Sequence, residues 1–398
     1  MFDVVLNNVR LTPVKDGPTT DIGIKDGRIA AVETGLQGAV SVDEGGRFAN
    51  GGFMESHLHL EKAFLLDSMP RDAHTLADAI DITGEMKRGF TCEDMAKRAC
   101  KVLDREIAFG TTAVRAHVEV DDTLQLKAMQ TVLRLREEYR DRLRFQVAVF
   151  PQEGIFRQSN VKQFMHASLE MGADVVGGIP YNDPDPAEHL DFVFALAEEF
   201  HKPVDVHIDL SDNPEQLDIL SLADHAIAHG MQGSVSAGHM TSLGSVPLDK
   251  AARIADRIAE AGISVVCLPM TDVYLNGRDD LQAPRRGITP VRLLQQHGVN
   301  VVVATNNIQN AFTPFGNGDP LNAANMLAEM AHFGSAEQQH DVMDMLTVNA
   351  AKANHMGSGA IEKGQSANIV VFDTRNERDV LLEHAPVWMS FYEGKRVN

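Results

Sequence analysis

Cysteine, tyrosine and tryptophan are scarce in this sequence, and positive charge is in deficit. Its 398 residues include three cysteines, four tyrosines and one tryptophan. So few cysteines exclude a disulfide framework and a cysteine-rich zinc site. The chain has 36 basic and 56 acidic residues, which give a formal net charge of −20 at pH 7. This excess of negative charge argues against nucleic acids and anionic membranes as partners, because both are bound through clustered basic residues.

Long apolar segments are also absent. No stretch approaches the roughly 20 consecutive apolar residues that a membrane span needs. The first residues, MFDVVLNNVRL, lack the basic start, the long apolar run and the cleavage site of a signal peptide. Together with the sparse cysteines, these features predict a cytoplasmic protein. The 44% hydrophobic and 23% charged residues are ordinary for a globular chain with a large core.

Short β-branched runs recur through the middle of the chain at a regular interval. They lie at residues 53–60, 113–120, 145–150, 174–179, 204–208, 234–237, 264–268 and 300–304. After a first long gap the runs start about 30 residues apart, with helical periodicity between them, as in repeated βα units. Eight such units predict an α/β fold, a (β/α)8 TIM-type barrel. A doubly wound open sheet is the competing architecture, but no glycine-rich dinucleotide fingerprint follows the first strand.

The two ends of the sequence have a different pattern from the middle. The first 50 residues alternate around a turn at Asp26 and Gly27, and the segments NIVVFD and VWMSFYEGKRV near the C-terminus predict short strands. We therefore predict that residues 1–50 and 355–398 form one small β-sandwich domain. Residues 51–354 would then form the barrel.

Histidine is the conspicuous functional residue, with 16 copies. His57 and His59 end the first predicted barrel strand, and residues two apart on a strand point to the same side. His207 and His239 end the fifth and sixth strands. Because the carboxyl ends of barrel strands meet at one mouth, these four histidines predict a nitrogen-rich metal site. His117, on the second strand, is more ambiguous, and we favour a structural role for it.

At several points the sequence resembles a known family. The resemblance rests on GGFMESHLHLEKAF, VRAHVEVDD, VAVFPQEGIF, GADVVGGIP, DVHIDLSD, AGHMTS, RRGITPVRLL and TPFGNGDPL. Together these motifs are similar to those of the amidohydrolase superfamily, and more narrowly to its cytosine deaminase branch. Within that branch they also resemble the N-isopropylammelide isopropylaminohydrolases, which act on a triazine ring. The motifs cover nearly the whole chain and are specific to the branch rather than to one substrate.

The resemblance implies a hydrolase that uses one divalent metal ion, zinc foremost, with iron or manganese as alternatives. By position, His57, His59 and His207 match the metal ligands. Gln152 matches the residue that donates a hydrogen bond to the substrate carbonyl, and His239 matches the histidine that holds the attacking water. The fourth strand ends without a lysine that could be carboxylated, which argues against a pair of metal ions. The family also implies a small heterocyclic substrate and a homo-oligomer.

Two positions depart from the family pattern. The family pattern has a metal-binding, proton-accepting aspartate at the end of the eighth strand, but this chain has Asn306. Its amide oxygen is expected to bind the metal only weakly, and it cannot accept the proton as a carboxylate does. Cytosine deaminases have a glutamate three residues after the fifth-strand histidine, and this chain has Leu210 there. We expect either Asp209, two residues after His207, or His239 to take over as the base. Asn306 could instead mark a substitution that traps a substrate, or a protein without catalysis.

Lys62 and two aromatic residues complete the predicted site. In HLHLEKAF, Lys62 either binds a carbonyl-rich or anionic ring, or is a surface lysine, or pairs with Glu61. Phe156 and Phe312 are candidates for apolar walls. The leading hypothesis is a metal-dependent hydrolase that cleaves a C–N bond on a small nitrogen heterocycle and releases ammonia or an alkylamine. The alternative is an inactive amidohydrolase-like barrel that binds a heterocycle without turnover.

Overall fold

A computed structural model describes residues 1–13 and 17–398. The first strands form a sheet in the order β3-β2-β1-β4, in which β4 runs parallel to β1 and the other neighbours are antiparallel. These strands are β1 (Phe2–Val9), β2 (Thr20–Lys25), β3 (Arg28–Glu33) and β4 (Gly38–Asp43). The predicted turn joins β2 to β3, and Gly27 takes its positive φ of 75° there without strain.

The central sheet is a parallel barrel in which eight strands follow one another in chain order. After β5 (Ala49–Gly51) come β6 (Phe53–Leu58), β7 (Thr111–Glu119), β8 (Arg144–Phe150), β9 (Val175–Gly178), β10 (Val204–Ile208), β11 (Val235–His239), β12 (Ser264–Cys267) and β13 (Val301–Val303). A bridge between Leu58 and Asn306 brings the last strand back to the first. Nearly every residue of these strands is buried, as parallel strands covered on both faces should be. The predicted TIM-type barrel is confirmed.

Helices fill the connections and enclose the barrel. They are α1 (Leu76–Lys87), α2 (Cys92–Ala108), α3 (Lys127–Tyr139), α4 (Val161–Glu170), α5 (Pro186–Phe200), α6 (Ile219–Ala228), α7 (Leu248–Glu260), α8 (Pro269–Leu275), α9 (Val291–Gln296), α10 (Pro320–Ala331), α11 (Ala336–Leu346), α12 (Val348–Asn354) and α13 (Glu377–Leu382). Helix α7 illustrates the packing, since it buries Ala251, Ile254, Ala255 and Ile258, one stripe of its surface. Within residues 1–13 and 17–398, no helix is long and apolar enough to cross a membrane.

The C-terminal segment returns to β structure beside the first sheet. Strands β14 (Ile369–Phe372), β15 (Val387–Tyr392) and β16 (Lys395–Arg396) join β5 in the order β16-β15-β14-β5. Apolar side chains from both ends of the chain share one small core, which includes Leu6, Ile22, Ile24, Ile369 and Val371. The two termini therefore build β structure together, as predicted, while the stated domain bounds stay a prediction.

Helix α1 lies over the carboxyl end of the barrel. The long gap between the first two barrel strands holds this helix together with α2. Ala79 and Ile82 of α1 are buried against Leu210, Leu275 and Phe312, which follow the barrel strands β10, β12 and β13. Because active sites form at this end of such barrels, α1 covers the region where the predicted site residues converge.

Candidate metal centre and active site

Three imidazoles converge at the mouth of the barrel. His57 lies on β6, His59 follows that strand directly, and His207 lies on β10. The Nε2 atom of His207 is 2.9 Å from Nε2 of His57 and 3.1 Å from Nε2 of His59. All three side chains are buried. Strand alternation places His57 and His59 on one side, and the closed parallel barrel brings His207 to them.

These contacts suit a metal ion better than they suit hydrogen bonds. An imidazole nitrogen carries either one proton or one lone pair, so Nε2 of His207 cannot form two good hydrogen bonds at once. Three lone pairs around a cation remove the conflict, and zinc–nitrogen bonds of about 2.0–2.1 Å in a tetrahedron place the nitrogens about 3.3 Å apart. Burial first, and nearby positive groups second, lower the pKa of each imidazole well below its usual value. The three rings are therefore neutral, as metal binding requires.

The outer nitrogen of His59 supports the same interpretation. Its Nδ1 lies 3.2 Å from the backbone oxygen of His117, to which it donates a hydrogen bond. This contact keeps the proton on Nδ1 and leaves Nε2 free to bind a metal. The ring of His117 stacks on His57 with 4.0 Å between centroids, so it packs beside the cluster. The residues present fit a divalent ion held by three imidazoles.

His239 joins the cluster from the end of β11 and has a carboxylate partner. Its Nδ1 is 2.6 Å from Oδ1 of Asp272, a buried residue on α8. Nitrogen atoms of His57, His207 and His239 all lie within 4.8 Å of one another. Burial raises the pKa of Asp272, and the contact with His239 opposes that rise. Sequence reasoning found His239 but missed Asp272, because this carboxylate comes from a helix after the seventh strand rather than from a strand end.

Hydrogen bonds of its backbone hold Asn306 beside the imidazoles, and its side chain lines the adjoining cavity. Its N–H donates to the oxygen of His57 at 2.9 Å, and its oxygen accepts from the N–H of His59 at 3.2 Å. The side-chain oxygen accepts a 2.9 Å hydrogen bond from Asn307 Nδ2. Its own Nδ2 has no partner among the described residues. The position predicted from the motif is thus part of the site, with an amide where the family pattern implies a carboxylate.

Lys62 is a buried cation at the edge of this cluster rather than a surface residue. Its Nζ donates to Oε1 of Glu119 at 2.7 Å and to Oε1 of Gln152 at 2.8 Å. The same ammonium lies 4.5 Å from the centroid of the Phe312 ring. Since the oxygen of Gln152 is used by Lys62, the NH2 group of Gln152 remains as a donor. Sequence analysis considered Glu61 as the partner of Lys62, and the observed partner is Glu119.

Asp209 does not have the orientation expected from strand alternation. Strand β10 ends at Ile208, and Asp209 has a positive φ of 52°, which interrupts the alternation. Its two carboxylate oxygens accept hydrogen bonds from the backbone N–H groups of Asp218 and Ile219, at 2.9 and 3.2 Å. Burial, and then the charge of Asp218, raise the pKa of Asp209 to about 8. The carboxylate therefore contacts the start of α6 and not the cavity.

Phe156 is also outside the site. Its backbone N–H donates to Asp183 Oδ1 at 2.9 Å, and its ring lies 3.7 Å from the ammonium of Lys162. Asp183 in turn contacts Nδ1 of His189 on α5 at 2.6 Å. These contacts hold the loop after β8 against the outer layer of helices, so of the two predicted aromatic walls only Phe312 faces the site.

One small cavity joins the remaining side chains. It is lined by His59, Lys62, Leu76, Gln152, Tyr181, His207, Leu210, His239, Thr271, Asn306, Asn307 and Phe312. Across residues 1–13 and 17–398, no carboxylate belongs to this lining. Sequence reasoning missed Tyr181 and Thr271. Tyr181 comes shortly after β9, so the strand-end rule could have found it, whereas Thr271 lies on α8 and has no comparable signal.

Comparison with known proteins assigns the chain to a family. The sequence profile of the Amidohydrolase family matches residues 83–397. The chain is 27% identical over 398 residues to N-isopropylammelide isopropyl amidohydrolase of Pseudomonas sp. (strain ADP), covering 96% of this chain and 94% of that protein. It is 27% identical over 335 residues to a pterin deaminase of Rhizobium rhizogenes, covering 83% and 76%.

A solved structure is similar over nearly the whole chain. The crystal structure of 5-methylcytosine deaminase from Klebsiella pneumoniae with phosphonocytosine matches with a TM-score of 0.93 at 30% identity, covering 99% of this chain and 98% of that one. These matches confirm the resemblance seen in the motifs and the interpretation as an enzyme, and no observation favours an inactive barrel. The chain belongs to the amidohydrolase family.

Proposed function

We propose that the chain is a mononuclear metal-dependent hydrolase that cleaves an exocyclic C–N bond of a small, oxo-substituted nitrogen heterocycle. The products would be the hydroxylated or oxo ring and ammonia or an alkylamine. The observation that carries this proposal is the meeting of three imidazole Nε2 atoms, 2.9 and 3.1 Å apart, beside a cavity with the donors Lys62 and Gln152. We expect zinc at the site, with iron or manganese as alternatives that the same ligands accept.

His57, His59 and His207 would hold the ion, with the amide oxygen of Asn306 beside them. A divalent ion at such a site lowers the pKa of water and supplies a nucleophile near neutral pH. Lone pairs on neutral imidazoles leave the full positive charge of the ion in place. The chain's own residues then have to orient the ring and to carry protons.

The pair of His239 and Asp272 is the proton carrier that the geometry supports best. Asp272 accepts from Nδ1 of His239 at 2.6 Å, which keeps the proton on Nδ1 and leaves Nε2 as a base. His239 takes a proton from the attacking water and returns it to the departing amine. Asn306 cannot do this, because an amide oxygen is not a useful base. Asp209 remains the other predicted carrier, but its contacts with α6 do not support that role.

The lining of the cavity points to a ring rich in acceptors. The ammonium of Lys62 and the amide of Gln152 present hydrogen-bond donors, and Leu210 and Phe312 present apolar surface. Relatives that act on cytosine use a carboxylate to move a proton to the ring, and Leu210 occupies that position here. A ring with two carbonyl groups, as in N-isopropylammelide named for the Pseudomonas relative, matches this lining better than a ring that must be protonated.

The test combines metal analysis with a substrate panel. Protein purified without chelator is assayed on N-isopropylammelide, ammelide, cytosine, 5-methylcytosine and pterin, with His207→Ala as the control. We expect about one divalent ion per chain, release of amine from the oxo-triazines in preference to cytosine, and loss of both properties in the control. Failure to bind any metal after reconstitution, or equal turnover by His207→Ala, would refute the proposal.

Three further properties are part of the proposal. From the family resemblance we infer a homo-oligomer, which light scattering coupled to size exclusion would measure. The cytoplasm is the inferred location, because the cysteines are sparse and unpaired within the described part of the chain. Limited proteolysis would test the domain bounds, and we expect the first cut near residue 355, because residue 50 lies within the paired strand β5.

A further inference from the structure

A buried carboxylate joins the substrate-facing lysine to the helix that covers the cavity. Oε1 of Glu119, at the end of β7, accepts a 2.7 Å hydrogen bond from Lys62 Nζ, and its Oε2 forms an ion pair with Lys87 Nζ. The side chains of both lysines are 1% exposed and that of Glu119 is 0% exposed. One carboxylate therefore holds two ammonium groups away from solvent.

Lys87 is the last residue of α1, so the covering helix ends in this cluster. Besides Glu119, its ammonium contacts Oδ2 of Asp121 at 3.0 Å and Oε1 of Glu153. These acidic residues come from the end of β7 and from the loop after β8. Lys87 does not line the cavity itself. Its contacts anchor α1 to the barrel at the carboxylate that holds Lys62.

Each of the two lysines offsets the charge of buried carboxylates in this cluster. Burial tends to raise the pKa of Glu119, but Lys62 and Lys87 lower it to about 2, so it is ionised. Burial raises the pKa of Glu153 to about 7 despite Lys87, so its charge is partial at neutral pH. Two ammonium groups thus face the carboxylates of Glu119 and Asp121. Loss of one lysine leaves an uncompensated buried carboxylate, which attracts the remaining cation.

Lys62 is the cation that would move. It has three N–H donors, of which Glu119 and Gln152 use two, and it lines the cavity. The third donor can face a ring carbonyl only while the ammonium stays between these two partners. We propose that Lys87 is a positioning residue that, through Glu119, fixes the ammonium of Lys62 for substrate binding. Placement of α1 and placement of the substrate-binding cation are then linked.

A double-mutant cycle tests this link, and its kinetic part rests on the proposed function. Lys62→Met, Lys87→Met and the double variant are compared on the best-hydrolysed compound of the panel. We expect Lys87→Met to raise KM about tenfold with a smaller change in kcat. When Lys62→Met is already present, Lys87→Met should cause no further rise in KM. Lys97→Met, on the exposed side of α2, is the matched control. Equal fold-changes in KM in both backgrounds would overturn the proposal.

A second variant distinguishes a charge-balancing role of Lys87 from a purely structural one. Lys87→Met combined with Asp121→Asn removes one ammonium and one carboxylate, while the amide oxygen can still accept from the backbone of Thr123 and Leu124. Because one positive and one negative group are removed together, we expect the KM of this variant to return most of the way to that of the unmodified protein. A purely structural role for Lys87 predicts a KM at least as poor as that of Lys87→Met alone.

A crystal structure of Lys87→Met tests the positioning role of Lys87 without any substrate. We expect Lys62 Nζ to leave Gln152 Oε1, from which it is now 2.8 Å away. An unchanged pair of contacts from Lys62 to Glu119 and Gln152 would overturn the proposal. If no panel compound is hydrolysed, the proposed function fails, yet this structure still tests the positioning role. Lys87→Gln, which also removes the ammonium but keeps a polar end, replaces Lys87→Met if that variant does not fold, and the same displacement is expected.

Discussion

At the scale of single residues, the site departs from the expected family pattern in the position of its carboxylate. Asn306 has the backbone contacts to His57 and His59 that place it in the site, but its side chain is a neutral amide. A buried carboxylate does reach the imidazoles from elsewhere, since Asp272 contacts His239. In the proposed function, this pair therefore serves as the base instead of a residue at the end of the eighth strand.

The first prediction concerns Asp272. Asp272→Asn keeps the size of the side chain, but the amide can stabilise the tautomer of His239 that has its proton on Nε2. It also cannot balance the positive charge that His239 gains when it accepts a proton. We expect kcat to fall by about 10²–10⁴ with little change in KM, as for removal of an orienting carboxylate or a general base. Steady-state kinetics on the best compound of the panel measure this effect.

Asp209→Asn is the matched control for Asp272→Asn. It removes a buried carboxylate of the same type, but one whose oxygens accept from the backbone of α6. We expect its kcat to stay near that of the unmodified protein. A large loss of kcat in Asp209→Asn, together with normal kinetics in Asp272→Asn, would assign the base to Asp209 instead.

At the scale of elements, most of the fold was accessible from sequence. The strand runs predicted all eight barrel strands. The helical periodicity between them indicates helices over residues 122–138 and 186–200, and the second of these is α5 (Pro186–Phe200). Helix α3 begins at Lys127 rather than near residue 122, because Asp121 accepts from the backbone N–H groups of Thr123 and Leu124 and holds a turn there. Such side-chain contacts decide element ends and have no periodic signal.

The candidate site was accessible only where its residues lie at strand ends. The four histidines follow that rule, so the sequence predicted where they meet, and the family motif added Asn306 to them. Positive φ at Asp209 interrupts the strand rule, and the partner of Lys62 comes from a neighbouring strand. These outcomes depend on backbone dihedral angles and on packing between elements that are distant in sequence. Asp272 was missed for the same reason.

The second prediction concerns helix α1 as a cover. Thr75 caps this helix by accepting from the N–H of Asp78 at 3.0 Å in a capping box. Thr75→Ala should destabilise the first turn of the helix by about 1 kcal/mol and speed amide exchange in α1. Because Leu76 lines the cavity, substrate KM should rise as well. Hydrogen–deuterium exchange and kinetics measure the two effects.

Thr91→Ala gives the comparison on an element away from the cavity. Thr91 caps α2 in the same way, by accepting from Asp94 N–H at 3.1 Å. We expect faster exchange in α2 but an unchanged KM. If both variants raise KM equally, α1 has no special role as a cover.

At the scale of the whole molecule, pH should affect stability through buried acids. Burial raises the pKa of Glu153 from 4.5 to about 7, although Lys87 opposes the shift. The folded chain then retains a proton that the unfolded chain releases, so the free energy of unfolding falls as pH rises between these values. In Glu153→Gln, the free energy of unfolding should fall less steeply over this pH range, which denaturant unfolding at several pH values measures.

Glu188→Gln, on the exposed first turn of α5, is the control for this experiment. It makes the same chemical change at the surface and should leave the slope of stability against pH as it is in the unmodified protein. Identical slopes in Glu153→Gln and the unmodified protein would show that Glu153 is not held in its protonated form by the fold.

One titration shows whether a chain that has Asn306 carries out metal-dependent hydrolysis. Protein stripped with a chelator is titrated with zinc, and amine release from N-isopropylammelide is measured at each addition. We predict that activity rises linearly and reaches a plateau at about one equivalent per chain, with no rise in His207→Ala. Zinc-independent activity, or no activity at any zinc concentration until Asn306→Asp is introduced, would contradict the account.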